Sequence, residues 1–488
     1  MSLILISLFK YNMKSNQLKN KIYPRTFPQV IPESVGINLV KAKNIYFIGI
    51  KGVGMTALAQ ILRAQGKIVS GSDTPEKFFT DKVLKRAKIK FSEGFSAQNL
   101  PDKVSLVIRS SAYAANNNIE VAATLKRKLP ILTQAEALAQ IFNSKFGIAV
   151  CGSHGKTTTS ALLAFVLRQA GLDLTAAIGS VVPQFRGNAL TGRGKIMVIE
   201  ADEYQNKLKL YQPKVVVLNN IDYDHPDWFK TPAAYQQAFA DFAQKIPKSG
   251  LLVANFGDKQ VVQAAEKCRC KVVSYGKQTG NFRFKILDLR FNQQYFKVWR
   301  QDKDLGKFKM KLIGEHNVQN ATAVIAACLE LKVPLSKIKQ ALAKFKGAAR
   351  RLEILGKYKG APFIDDYAHH PTEIQATLLA LRQQYPRQKI ICAFMPHTYT
   401  RTKALFKEFA KSFINADEVI ILPIYGSARE KQGGVSSEDL AKKIGKNAHY
   451  IASINACAAY LKQRVNKNNV VVLMGAGDAF RVWGTLQM

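Results

Sequence analysis

No apolar run in this sequence reaches the roughly 18 to 20 residues that a spanning helix needs, so no segment is expected to cross a bilayer. Nor is there a C-x-x-C pair. Cys151, Cys268, Cys270, Cys328, Cys392 and Cys457 are scattered, which excludes the usual zinc and dithiol redox spacings and suits a reducing cytoplasm. Fixed-period repeats and low-complexity tracts are absent, which excludes solenoids. Carboxylates are scarce, with 34 Asp plus Glu against 72 Lys plus Arg and a formal charge of +38. Such a surplus on its own suggests a polyanionic partner. The basic residues, however, are spread over all regions without a basic tail or a known nucleic-acid module. Phosphate-bearing small molecules are therefore the expected partners, with no specific nucleic acid and no membrane. The apolar stretch Leu3 to Phe9 is short and lacks both a preceding basic cluster and a cleavage site, so a secretory signal is not expected. Met13 is an equally good start, and residues 1–40 read as an N-terminal extension.

The 488 residues, 47% hydrophobic and 22% charged, exceed what one ordinary core accommodates, and two or three domains follow. From Asn44 short apolar runs alternate with helical patterns: NIYFIGI, then MTALAQILRAQG, KIVSGSD and VSLVIRSS, then two helix-like stretches to Asn143. This alternation is β-α-β logic and predicts a parallel sheet. A second unit opens with FGIAV at Phe146 and continues with the strand candidates IMVIEAD and KVVVLNNID. Between about Ser274 and Leu312 polar and apolar residues alternate, predicting antiparallel strands, and two helices follow. A third α/β unit carries PFIDD, KIICAFM, EVIILPI and NVVVLMGAG. The expected limits are 41–143, 144–345 and 346–488.

GSHGKTTTS, Gly152 to Ser160, lies between a buried-strand run and an apolar helix. Its glycines let backbone N–H groups curl around phosphate oxygens. Lys156 would reach the β and γ phosphates of ATP, and the Thr157 hydroxyl would sit on Mg2+. The spacing departs from G-x-x-x-x-G-K-T, because Val150 stands where the first glycine belongs. A second glycine loop, Gly49 to Met55, also joins a strand to a helix, and Asp73 closes the next strand. Its G-x-x-G-x-G spacing departs from the dinucleotide fingerprint. A phosphate site, to which Lys51 would add charge, an NAD site and a ligand-free packing turn all remain open for it. Two anion-binding loops in separate domains point to a ligase, one nucleotide carrying the substrate and the other supplying its γ-phosphate.

Glu200, Asp202 and Glu203 end one apolar strand, and Asp222, Asp224, His225 and Asp227 follow another. Carboxylates and an imidazole at the ends of parallel strands, close to a phosphate loop, make a Mg2+ shell; the bland alternative is a solvated strand end. His316, Asn317 and Asn320 begin a helix. Asn amides can read an adenine edge, but near a helix start they more commonly act as caps. In the last unit Arg350, Arg351, the run Asp365 to Glu373, Pro396, His397 and Arg401 gather polar groups at strand ends, as in a domain that closes over a substrate.

GSHGKTTTS, EADEY, DHPD, GEHNVQNA, RRLE and DDYAHHPTEI occur here in the order seen in Mur ligases, and from Asn44 to the C-terminus the chain resembles that family. DDYAHHPTEI, PHTYTRTKAL and YGSAREKQGGVSSEDL are the most discriminating pieces. The resemblance implies an α/β protein of three domains: an N-terminal Rossmann-like domain for a UDP sugar, a central P-loop ATPase-like mixed sheet, and a C-terminal Rossmann-like domain closing on ATP and an amino acid. The implied reaction joins L-alanine to the lactyl carboxylate of UDP-N-acetylmuramic acid through an acyl phosphate, with ATP and Mg2+. The implied protein is cytoplasmic, a monomer or weak homodimer. By the same resemblance Gly152, Gly155, Lys156, Thr157, Thr158, Asn317, Asn320, Arg351 and Asp366 serve ATP, while Thr157, Glu200 and His225 bind the metal. Lys156, Glu200, His225 and Arg351 carry the catalysis. Gly52, Gly54, Asp73, Ser110 and Ser111 face the UDP part, and His369, His370 and Arg401 face the alanine. Three positions depart from the family pattern: Gln205 in the acidic stretch, Phe95 in place of a histidine, and Thr398 where some relatives carry arginine. Attachment of a whole peptide to the same sugar nucleotide is the alternative within the family. An NAD-dependent oxidoreductase would leave GSHGKTTTS unexplained, and an ATP-driven nucleic-acid remodeller has no motif here.

Overall fold

The computed structural model describes residues 37–290, 293–426, 430 and 433–488. The N-terminal extension up to residue 36, and residues 427–429, 431 and 432 of the YGSAREKQGGVSSEDL segment, lie outside the described residues. Residues 37–488 form one compact unit built on three sheets. Among the described residues no helix is long and apolar enough to cross a membrane.

The first sheet comprises β1 (Asn44–Ile48), β2 (Ile68–Asp73), β3 (Lys90–Glu93), β4 (Leu106–Arg109) and β5 (Ile131–Thr133) in the order β3-β2-β1-β4-β5. All its pairings are parallel. Tyr46, Phe47 and Ile48 are all buried because the sheet is covered on both faces, so β1 reads as a continuous apolar run rather than an alternating one. The strand order reverses between β1 and β4, and the crevice beyond the carboxyl ends of such strands is where open α/β sheets hold ligands. The Gly49 loop leaves β1 there and Ser110 and Ser111 leave β4, with the Ser110 amide donating to the Ile48 carbonyl at 2.9 Å.

The second sheet holds β6 (Phe146–Cys151), β7 (Leu174–Val182), β8 (Gly187–Thr191), β9 (Ile196–Glu200), β10 (Val215–Leu218), β11 (Leu251–Asn255), β12 (Lys271–Gly276), β13 (Phe282–Arg290), β14 (Gln293–Arg300) and β15 (Lys303–Met310). Their order is β15-β14-β13-β12-β11-β10-β6-β9-β7-β8. The expected antiparallel stretch begins later than Ser274, because β12 pairs parallel with β11 and the alternation proper runs through β13 to β15. There Phe284, Phe296 and Phe308 are buried on one face while lysines occupy the other. The hairpin of β7 and β8 was not anticipated from the sequence; its alanines, glycines and threonines resemble a loop until tertiary packing covers them. The third sheet comprises β16 (Glu353–Tyr358), β17 (Ala361–Asp366), β18 (Lys389–Phe394), β19 (Glu418–Ile421), β20 (Ala448–Tyr450) and β21 (Asn469–Met474) in the order β16-β17-β21-β18-β19-β20. It is parallel except for β16 against β17.

The β7–β8 hairpin joins the first two domains. Asn188 on β8 donates to the Val53 carbonyl at 2.7 Å and accepts from Gln60 Nε2 at 2.6 Å, so the helix Val53–Ala64 that follows the Gly49 loop rests on it. Lys51 corrects a sequence expectation. Its ammonium does not face a ligand crevice but is buried, donating to the carbonyls of Thr74 at 2.9 Å and Glu76 at 2.8 Å. Asp81 and Glu93 lie 3.8 and 3.5 Å away. The lysine therefore pins the loop after β2 beneath the loop after β1. Lys51→Ala removes a buried cation from partly exposed partners, and urea unfolding is expected to record a loss of about 1–3 kcal/mol; an unchanged midpoint would refute the pinning role.

Candidate active site

β6 delivers the chain to the phosphate loop, and the helix Lys156–Gln169 leaves it. Gly152 (φ 127°) and Gly155 (φ 76°) adopt backbone conformations that side chains disfavour. A Cβ on Gly152 would come within 2.9 Å of the Asn220 backbone, and one on Gly155 within 2.5 Å of Asn320 Oδ1. The loop is thus pressed between the end of β10 and the helix Glu315–Glu330, which brings Asn320 to the phosphate cradle. Asn317 and Asn320 are not N-caps: the cap position is Gly314, Asn317 Nδ2 donates back to the Ile313 carbonyl at 2.8 Å, and Asn320 Nδ2 reaches Asn317 Oδ1 at 3.3 Å.

Lys156 Nζ donates to the carbonyls of Gly152 (2.6 Å) and Ser153 (3.0 Å) and to Glu203 Oε2 (2.9 Å). Burial opposes its charge, but Glu203 and Asp202 outweigh burial and hold the proton on. The Thr157 hydroxyl donates to Glu200 Oε1 at 2.9 Å, while Glu200 Oε2 accepts the Gly179 amide of β7 at 2.8 Å. A Cβ on Gly179 would collide with the Glu200 carboxylate. Thr158 is buried in the same helical turn. A hydroxyl and a carboxylate oxygen at the mouth of a phosphate cradle are the donors a hard divalent cation prefers, so Thr157 and Glu200 fit Mg2+.

His225 is placed differently from the expectation that groups it with Glu200. Its Nε2 lies 3.5 Å from Glu203 Oε1 and 3.8 Å from Asp224 Oδ2, and ligand atoms of Asp202, Glu203 and His225 fall within 4.8 Å of one another. Burial disfavours its charged form, yet Asp224 and Glu203 raise its pKa above the ordinary value. A φ of 57° at His225 is uncommon for a residue with a side chain; its ring lies against that of Tyr204 with centres 4.7 Å apart. Gln205 and Asn206, with φ of 57° and 55°, open the neighbouring turn. Lys207 then returns to Asp202 Oδ2 at 2.7 Å.

The third domain meets the second across this site. Arg351 Nη2 donates to Thr157 Oγ1 at 3.3 Å, and its guanidinium lies 4.9 Å from the centre of the Tyr367 ring. Asp366 is committed to its own domain, accepting from the Leu352 amide at 2.7 Å and the Ala368 amide at 2.9 Å. It therefore positions Arg351 through the adjacent residue. Arg401 is buried and grips Asp224 with two bonds, Nε to Oδ1 at 2.8 Å and Nη2 to Oδ2 at 3.2 Å. Thr398, held at φ 70°, caps the short helix that carries it, accepting the Arg401 amide at 3.4 Å. His369 Nδ1 lies 2.9 Å from the Tyr367 carbonyl, and burial lowers its pKa to about 4, so the ring is neutral. His370 is buried against the Tyr223 carbonyl at 3.3 Å.

In the first domain Gly52, Gly54, Ser110 and Ser111 gather at the reversal of strand order. A Cβ on Gly54 would lie 3.2 Å from Gln134 Nε2. Asp73 is buried, accepting the backbone amides of Lys51 at 2.6 Å and Thr74 at 2.8 Å. It shapes the crevice rather than projecting into it. Phe95 packs edge-on against Tyr113 with ring centres 4.8 Å apart. Three residues at the site escaped sequence reasoning: Gly179, Asn219 and His154. Asn219 Nδ2 donates to the His154 carbonyl at 3.2 Å. His154 lies between Asp222 Oδ2 at 2.9 Å and Glu373 Oε1 at 3.3 Å. Its position inside the glycine loop was the available signal.

Comparison with known proteins places three family profiles end to end along the chain. The Mur ligase family, catalytic domain, matches residues 44–146. The Mur ligase middle domain matches residues 150–328, and the Mur ligase, glutamate ligase domain, matches residues 350–477. The UDP-N-acetylmuramate--L-alanine ligase of Desulfitobacterium hafniense is 39% identical over 449 residues, covering 91% of this chain and 99% of the relative. That of Aquifex aeolicus is 38% identical over 439 residues, covering 90% and 96%. The crystal structure of UDP-N-acetylmuramate-alanine ligase from Thermotoga maritima superposes with a TM-score of 0.76 at 27% identity, covering 91% of this chain and 98% of that one. A murein peptide ligase from Psychrobacter arcticus shares the fold with a TM-score of 0.70 at 24% identity, covering 91% and 98%.

The ion pairs of His154 make the seam between the second and third domains pH-dependent. Burial opposes its charge, but Asp222 and Glu373 raise its pKa from 6.5 to about 9. The resulting stabilisation is complete below pH 6.5 and is lost as the pH rises through 9, with up to about 3 kcal/mol at stake. Unfolding midpoints followed from pH 6 to pH 9.5 should fall for the wild type and stay flatter for His154→Gln; parallel curves would exclude this source.

Proposed function

Because the chain belongs to the Mur ligase family, we infer that it is an ATP-dependent carbon–nitrogen ligase of peptidoglycan precursor synthesis that joins L-alanine to the lactyl carboxylate of UDP-N-acetylmuramic acid. The carboxylate attacks the γ-phosphate of ATP to give an acyl phosphate and ADP, and the alanine amine then displaces phosphate. The observation that carries the residue assignments is the convergence at Thr157 Oγ1, which donates to Glu200 of the second domain and accepts from Arg351 of the third.

Both reactants of the first step are anions, so the site must offset their repulsion before it can align them. Lys156 and the amides of Gly152 to Thr158 hold the triphosphate, Asn317 and Asn320 help to hold the nucleotide, and Arg351 caps the γ-phosphate from the third domain. Asp366 supports Arg351 through the Leu352 amide. Thr157 and Glu200 are the residues that would hold Mg2+, which when bound supplies further charge neutralisation, while His225 stands beside Glu203 and Asp224. Gly52, Gly54, Ser110 and Ser111 form the UDP crevice over Asp73. His369 and His370 receive the amino acid, and Arg401, whose fork is taken by Asp224, supports that pocket from behind. The limits 41–143, 144–345 and 346–488 mark the three working domains. The protein works in the cytoplasm as a monomer or weak homodimer, without a nucleic-acid partner.

Lys156→Ala is expected to lower alanine-dependent phosphate release by at least about a hundredfold while the far-ultraviolet circular dichroism is retained. Turnover near the wild-type rate would remove Lys156 from the mechanism. Supplying L-alanine, glycine, L-serine or a tripeptide as acceptor tests the product assignment directly, with L-alanine expected to be used fastest and preference for the tripeptide overturning it.

A further inference from the structure

We propose that His154, Asp222 and His370 form a site for a divalent transition-metal ion of the zinc type, separate from the magnesium ligands, that staples the third domain to the second. The three residues come from the phosphate loop, the loop after β10 and the start of the helix Pro371–Gln384. Their ligand atoms lie within 4.8 Å of one another. His154 Nε2 is 2.9 Å and His370 Nδ1 is 3.5 Å from the same oxygen, Asp222 Oδ2. Tetrahedral ligands at ~2.0–2.1 Å from zinc stand ~3.3 Å apart, so small adjustments accommodate the ion. Two imidazole nitrogens and one carboxylate oxygen suit zinc or cobalt, whereas magnesium demands an octahedron of oxygens.

The outer contacts give an independent reason. A metal-binding histidine characteristically donates its other ring N–H to a carboxylate or a backbone carbonyl. Here His154 Nδ1 faces Glu373 Oε1 at 3.3 Å, and His370 Nε2 faces the Tyr223 carbonyl at 3.3 Å. With its proton on Nε2, His370 turns the Nδ1 lone pair towards Asp222 Oδ2. Two acceptors facing each other call for a cation between them. The competing contacts on these atoms are a 3.4 Å bond from the Thr372 amide to His370 Nδ1 and the Thr372 hydroxyl on Asp222 Oδ2 at 2.6 Å. Water completes the coordination, and the proton that His154 shares with Asp222 is released to solvent when the ion binds.

Because the ligands straddle two domains, the ion favours the arrangement in which they are joined and slows turnover. His370 then cannot serve both the ion and the amino acid, so added metal raises the apparent KM for alanine. The test uses the intact protein in excess Mg2+, titrated with Co2+ and followed by visible absorption. One equivalent should bind with the intense band of a tetrahedral site, and Zn2+ should displace it. His370→Gln should abolish the band, and Glu373→Gln should weaken Co2+ affinity by ~10–100-fold. His225→Gln should leave it unchanged. Absence of a tetrahedral band in the wild type, or a band lost with His225 and kept in His370→Gln, overturns the proposal. Circular dichroism of each variant separates loss of the site from loss of the fold.

Discussion

Arg401 and Asp224, 177 residues apart in sequence, meet as a buried, doubly hydrogen-bonded ion pair, and the seam between the second and third domains is organised around it. Desolvating two charges is costly, and a buried pair contributes little net stability compared with apolar packing. What such a pair supplies is geometry, since a planar fork meets a carboxylate in few orientations. Burial opposes the charge of Asp224, but Arg401 and His225 keep its pKa well below the carboxylate range. The pair therefore stays charged and fixes the approach of the helix that carries Arg401. Around it lie His154 with Glu373, and Arg351 with Thr157, each a polar contact between domains. A seam made of charges can part and re-form in water more readily than an apolar one.

The other joint is made differently. The β7–β8 hairpin touches the first domain through Asn188 and supports Glu200 through the Gly179 amide. One short element thus connects the Gly49 loop with the phosphate loop. In the proposed ligation that connection would serve a mechanical requirement, because a carboxylate whose nucleotide handle is held by one domain must reach a phosphate held by another.

The surplus of basic residues is partly explained by the same chemistry. In the proposed reaction Lys156 and Arg351 would neutralise phosphates, while Arg401 neutralises Asp224; each leans on a protein oxygen. Lys51 and Arg350 are structural: one pins the loop after β2, the other pairs with Asp365 at 3.1 Å and bonds to the carbonyls of Gly475 and Gly477. The lysines of the outer face of β13 to β15 belong to neither group and account for part of the remaining charge.

Much of the fold and of the chemistry was legible from local pattern. The apolar runs of β1, β6, β9, β10, β17, β18, β19 and β21 announce buried parallel strands, because burial on both faces removes polar residues. The glycine loop before Lys156 announces a phosphate cradle, because the backbone itself makes the site. Pairings between distant residues were not legible. No local signal tells that Asp224 turns to Arg401 rather than to a metal, that Lys51 faces carbonyls rather than phosphate, or that Asp366 supports Arg351 from behind. Nor does any announce that Gly179 must lack a side chain for Glu200 to fit. A strand or a loop is decided by neighbours a few residues away, whereas the partner of a charged side chain is whichever opposite charge the packing of three sheets brings within reach.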